Sequence, residues 1–201
     1  MAIGEVKYGE YGLTEIDSAI SSTAVNSFEV DINDAAESNS VILVQGSFQS
    51  SDLDNQAIYI QFIDASDAII NCSYVTKNSS TNQVLRNNAG NSTFLRLNYW
   101  GLGNQNSTVY DPIAAGLASG SAAESAEFQL VINNERSTSA PIRRCYGFHQ
   151  TIFYSTSATL HLSRGGFDVR TDTNVRKLRI KGGGTSNVTA SIKVHSLFAN
   201  V

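Results

Sequence analysis

The sequence is short of the residues that usually announce a chemistry. Of 201 residues, two are cysteine, two proline, three histidine, one methionine and one tryptophan. Cys72 and Cys145 stand too far apart for a zinc knuckle or a CxxC redox pair, and each lies in an apolar run that predicts a buried free thiol. His149, His161 and His195 show neither HxH nor HExxH spacing, so no metal or cofactor is expected. His161 and His195 alternate with apolar neighbours and are expected on the solvent side of strands. "GLASGSA" is not GxSxG, so no nucleophile elbow appears. Oxygen-bearing Asp31, Asn33, Asp34 and Glu37 in "DINDAAE" lack the glycine and spacing of a calcium loop, and read as a strand end followed by a capped turn.

Charge is scarce too. Charged residues make up 16% of the chain, against a usual share of about 25%. The net charge of −4 gives a nucleic-acid backbone no general reason to bind, because that affinity comes largely from Lys and Arg displacing counterions. Acidic residues gather early (Glu5 to Glu37) and basic ones late (Arg143 to Lys181), so the two ends either attract between copies or pair within one sheet. No run approaches the ~18 apolar residues of a membrane span, and "MAIGEVKYGEYG" lacks a signal peptide's basic start and apolar core. Synthesis in a cytoplasm without membrane association is the expectation, and the sequons at Asn71, Asn78, Asn91, Asn106 and Asn187 then have no glycan to carry.

What is abundant is strand periodicity. In "FEVDI", Phe28, Val30 and Ile32 share one face; in "AIYIQFI", Ile58, Ile60 and Phe62 do. "VILVQGSF" from Val41 reads as a buried strand with Gly46 at a bulge or a close backbone approach. Further strands are predicted at Ile69–Val75, Phe94–Tyr99, Glu127–Ile132, Tyr146–Phe153, Ala158–Ser163, Val175–Ile180 and Val188–Phe198, with long loops at Asn78–Thr93 and Gly101–Asp111. "LTEIDSAI" from Leu13 suggests a short helix and "DPIAAGLASG" from Asp111 a single turn. About ten strands joined by Asn, Ser and Gly loops predict an all-β fold, an antiparallel β-sandwich, jelly-roll-like in the first instance and immunoglobulin-like in the second.

Residues 1–27 are spaced differently, with Tyr8, Tyr11, Leu13, Ile16 and Ile20 as apolar points in a polar segment. They are expected to form an N-terminal arm that either lies on its own body or reaches a neighbour, ahead of a single sandwich domain at 28–201. The glycines of "IKGGGTSN" invite comparison with a phosphate loop, but Lys181 precedes them and an alternating strand follows, so a hairpin loop is expected. "NYWGLGNQNSTVYDP" offers Tyr99, Trp100 and Tyr110 around a loop, suited to stacking on sugar rings, to anchoring a subunit interface, or to burial in the core.

Two stretches, "TIFYSTSATLHLSRGGFDV" and "VRKLRIKGGGTSNVTASIKVHSLF", resemble a recurring module of tailed-bacteriophage virion proteins found in decoration, head-appendage and tail-fibre components. Ala190, His195 and Ser196 stand where that module tends to have Gly, Tyr and Gly. The resemblance implies a non-enzymatic virion protein, first a capsid decoration or cement protein. As such it would be a homo-oligomer, with a trimer favoured, docked on the major capsid protein through Tyr8, Tyr11, Leu13 and Ile16. A tail-fibre or receptor-binding module using Tyr99 and Trp100 on host glycans is the alternative it implies. A β-sandwich glycan hydrolase, with carboxylates brought together only in space, is a third reading.

Overall fold

The computed structural model describes residues 14–32, 40–50, 58–78, 84–93, 95–96, 126–135, 143–154, 160–171, 175–182 and 188–196. Their strands are β1 (Thr14–Val25), β2 (Ser27–Asp31), β3 (Ser40–Ser50), β4 (Ile58–Ile63), β5 (Ile69–Ile70), β6 (Cys72–Asn78) and β7 (Val84–Ser92), followed by β8 (Leu95–Arg96), β9 (Ala126–Glu135), β10 (Arg143–Tyr154), β11 (Leu160–Thr171), β12 (Lys177–Gly182) and β13 (Val188–Ser196). All pairings are antiparallel. One sheet has eight strands in the order β1-β13-β3-β9-β10-β11-β6-β7; the other has five, β2-β12-β4-β5 with β8 also paired to β4. The two pack face to face, so the expected all-β sandwich is what forms. The order establishes the sandwich and not the jelly-roll wrapping.

Alternation builds the core. Ile42 and Val44 of β3, Leu130 and Ile132 of β9, and Ile192 and Val194 of β13 point inward from the large sheet, against Val30, Ile60, Phe62, Leu178 and Ile180 from the small one. Each such side chain contributes about 1.5–3 kcal/mol on burial. Phe62 and Phe167 meet across the layers with ring centroids 5.1 Å apart and a 32° tilt.

Two corners tie the layers together. Only Asn26 separates β1 of the large sheet from β2 of the small one, and only Asn71 separates β5 from β6, so at each place one strand bends from layer to layer. Away from the first corner, the Asp17 carboxylate of β1 accepts hydrogen bonds from the backbone N–H of Asp31 at the far end of β2 (2.6 Å) and of Ser18 (2.8 Å).

Several expectations need correction. The segment from Leu13 is no helix: Thr14–Val25 is an edge strand on β13, and a bulge between Glu15 and Asp17 supplies the extra residue that gives Ile16, Ala19 and Ile20 a helix-like spacing. The part of the proposed arm within the described residues therefore belongs to the sandwich's own sheet. Asn78–Thr93 is no plain loop, since β7 pairs with β6 despite its Asn- and Gly-rich composition. The glycine cluster does not close a hairpin: β12 lies in the small sheet and β13 in the large one, so the connection passes between layers. At Gly46 the register is unbroken; the close-approach reading holds, because a Cβ there would stand 2.8 Å from the Phe128 ring.

Among the described residues, the early acidic Glu29 pairs with the late basic Arg179 at 2.6 Å and Lys177 at 4.0 Å; in pairs with one member outside those two groups, Lys177 also contacts Asp67 at 2.9 Å and Lys193 contacts Glu15 at 3.1 Å. Such exposed pairs are worth roughly 0–1 kcal/mol each and mainly set which strands adjoin.

Candidate binding face of the eight-stranded sheet

The outer faces of the two sheets differ in kind. On the small sheet, Glu29, Gln61, Lys177 and Arg179 form an ion-paired polar surface, with Ile69 of β5 41% exposed. The large sheet instead exposes apolar side chains: Phe148 is 55% exposed, Leu160 53%, and Tyr146 and Ile152 about 40%, with Ile20 at 71% on the β1 edge. Tyr146 is held by a hydrogen bond from Asn133 Nδ2 to its hydroxyl at 2.7 Å.

Between the Phe148 and Ile152 positions runs a polar row. Register places Gln45 opposite Gln129, and Gln129 opposite Gln150, so three amides stand side by side across β3, β9 and β10. Lys193 continues the row on β13; Arg164 on β11 and Lys77 on β6 continue it the other way. An open groove of about 450 Å³ follows the row and is lined by Gln45, Gln129, Gln150, Glu127, Ile152 and Lys193, among others. Arg164 and Lys77 stand directly opposite each other and make no ion pair with any described residue. Like charges so placed destabilise a sheet.

Under the β6, β10 and β11 end of this face, part of the interior is polar. Thr76, His149, Thr151 and Ser163 are almost wholly buried. His149 Nε2 lies 3.1 Å from the Thr76 hydroxyl, while Nδ1 has no partner among the described residues. Burial pushes the imidazole pKa down to about 3, so the ring is neutral and shut away from solvent. Gly165 makes room for it, since a Cβ there would lie 2.8 Å from Nε2. The two thiols are buried as expected, with burial pushing Cys72 up to about 12 and Cys145 further in the same direction. They flank β11 on β10 and β6, roughly 10 Å apart, beyond the ~7 Å Cα separation a disulfide can bridge. Among the described residues no three His, Cys, Asp or Glu side chains cluster as a metal site would require. No described helix is long and apolar enough to cross a membrane.

Of the residues singled out in the sequence, Ile16 is half-buried on β1 and packs against the core. His195 lies on the outward side of β13, as expected. Tyr8, Tyr11, Leu13, Tyr99, Trp100 and Tyr110, with Asn33, Asp34 and Glu37, lie outside the described residues. The glutamine row was missed. Each glutamine occupies an outward slot in its strand, in "VQG", "FQL" and "HQT", but only the pairing register brings the three together. Compared with known proteins, the chain matches no family model, no curated protein and no solved structure.

Proposed function

We propose that the chain is a non-enzymatic structural protein of a phage virion, a decoration or cement protein that stabilises the head shell through contacts at the β1 edge. The observation that carries this reading is Ile20, 71% exposed on an outermost strand whose one ladder partner among the described residues is β13. An edge strand offers unpaired N–H and C=O groups to another chain, and an isoleucine beside them supplies an apolar anchor. The residues that precede Thr14 in sequence, Tyr8, Tyr11 and Leu13 among them, extend the same contact. A head-to-tail contact of this kind closes into a ring when its rotation allows, which accommodates the favoured trimer, and many weak contacts on the major capsid protein add up by avidity. The neutral, enclosed His149 and the raised thiol pKa values support the non-enzymatic part.

Two measurements test the reading. An antibody against the chain, applied to virions purified from a lysate containing it, labels whole heads if the proposal is right. Label on no particle overturns it, and multiple turnovers of a polysaccharide by the purified protein would put a hydrolase in its place. The substitution Ile20→Lys, a charge of the kind that blunts edge strands, reduces particle occupancy with the unfolding midpoint unchanged; unchanged occupancy removes the edge from the contact. Label at tail tips alone would favour the second reading, a receptor-binding module on host glycans, for which the amide-lined groove speaks.

A further inference from the structure

We propose that the outer face of the eight-stranded sheet binds an acidic polysaccharide in which carboxylated and neutral sugars alternate. The inference deepens the glycan reading above and is compatible with a particle contact at the β1 edge, which leaves this face uncovered. Three features on one face carry it. Phe148 is half exposed, and its cross-strand partner Gly166 has no side chain to compete for the space, so the ring offers an apolar surface to the C–H face of a pyranose. Two residues along β10, Gln150 begins the amide row with Gln129 and Gln45, and each amide presents both a donor and an acceptor to the paired hydroxyls of a sugar. Across the β10–β11 pair from Gln150 stands Arg164, opposite Lys77, a doublet of cations that costs the sheet stability and suits a carboxylate.

The distribution of charge narrows the ligand. Lys193 at the other end is already paired with Glu15, Glu127 faces into the groove, and Asp168 lies on the same face beside Tyr146. Along the amide row, positive charge without an ion pair among the described residues lies at the Arg164 and Lys77 end. A polymer with an anion on every unit meets Glu127 unfavourably; one with a neutral sugar between carboxylates seats the acid at the doublet and hydroxyls along the amides. An acidic peptide supplies the carboxylates without the ring faces or paired hydroxyls.

Electrophoresis of the full chain through gels containing a polymer tests this, with hyaluronan as the alternating probe and polygalacturonate, dextran and poly-L-glutamate as comparisons. Retardation is expected in hyaluronan above all. The double substitution Arg164→Gln with Lys77→Gln weakens it by about tenfold or more, as does Phe148→Ser or Gln150→Ala. The double variant should also unfold no earlier than the parent, since it removes a like-charged pair; binding lost with stability kept is a signature that misfolding does not produce. No retardation in hyaluronan, equal retardation in poly-L-glutamate, or full retention of binding by both Phe148→Ser and Gln150→Ala overturns the proposal. None of these results depends on virions, so particle labelling can fail while this succeeds, or the reverse.

Discussion

Gly165→Ala is the sharpest test of how β6, β10 and β11 are packed. A Cβ built at Gly165 falls 1.7 Å from the carbonyl oxygen of Val75 on β6, 2.7 Å from its carbon and 2.8 Å from His149 Nε2. An unstrained carbon-to-oxygen contact is about 3.3 Å or more, so β6 must draw back by about 1.5 Å. That takes local ladder bonds from about 2.9 Å to beyond 4 Å, where they no longer count as bonds. It also separates Thr76 from His149, whose other ring nitrogen has no described partner. Overpacking costs about 1–3 kcal/mol and a stranded buried polar group about 1–3 more, so a loss near 4 kcal/mol is expected. For a domain of this length that lowers Tm by about 8–16 °C in a thermal melt followed by circular dichroism.

Gly166→Ala is the matched control. Its Cβ would meet only the Gly147 carbonyl oxygen, at 3.4 Å, an ordinary contact. Alanine in a strand recovers roughly 0.5–1 kcal/mol of backbone entropy relative to glycine, so this variant should be neutral or slightly stabilised. If Gly165→Ala melts within about 3 °C of the parent, or Gly166→Ala falls as far as Gly165→Ala, the packing described for this corner is wrong.

His149 gives the fold a pH dependence of known sign. Its folded pKa of about 3 lies below the ordinary imidazole value of about 6.5, so between those values only the unfolded chain binds the proton and stability falls as pH drops, by about 1.4 kcal/mol per unit. From pH 6.5 to 5 the carboxylates with lowered pKa, Glu15 beside Lys193 and Asp64 bonded by Ser66, stay ionised, so urea unfolding in that window reads the histidine. The slope flattens in His149→Gln, and an unchanged slope would refute the burial. Thr151→Val removes a buried hydroxyl that has no partner among the described residues while keeping the side chain's shape, and should stabilise by about 1–2 kcal/mol. A destabilised Thr151→Val would mean that the hydroxyl has a partner.

How much of this was legible in the sequence varies with the signal each element carried. β2, β4 and β9 announced themselves because Phe28 and Val30, Ile60 and Phe62, and Phe128 to Ile132 alternate cleanly between core and solvent. β1 was misread because its bulge breaks the period. β7 was missed because "VLRNNAGNS" has little strand propensity of its own and owes its state to pairing with β6, an override by tertiary context. The glycine loop illustrates a third limit: two alternating strands around a turn look alike whether they pair with each other or go to different layers. For the candidate site, the individual glutamines were visible and their alignment was not, since strand order is a long-range property that period alone does not encode.

The β6, β10 and β11 end of the sandwich reverses the usual arrangement, and the reversal says something about purpose. Inside it lie Thr76, His149, Thr151 and Ser163; outside lie Phe148, Ile152 and Leu160. Burying polar atoms without a partner among the described residues, as at His149 Nδ1 and Thr151 Oγ1, costs free energy, and leaving large apolar groups in water forgoes the stabilisation of their burial. A chain selected only to fold would exchange the two sets. The inward polar groups instead pack with glycines: Gly165 leaves room for His149, and Gly147 would bring a Cβ 1.9 Å from the Val131 carbonyl oxygen. Strands held that closely form a stiff platform, on which Phe148 and the Gln150 row keep fixed spacing without a bound partner. Rigid spacing is what lowers the ordering cost of recognising a repetitive polymer. The stability given up inside the sheet and the recognition proposed outside it are therefore two sides of the same sheet.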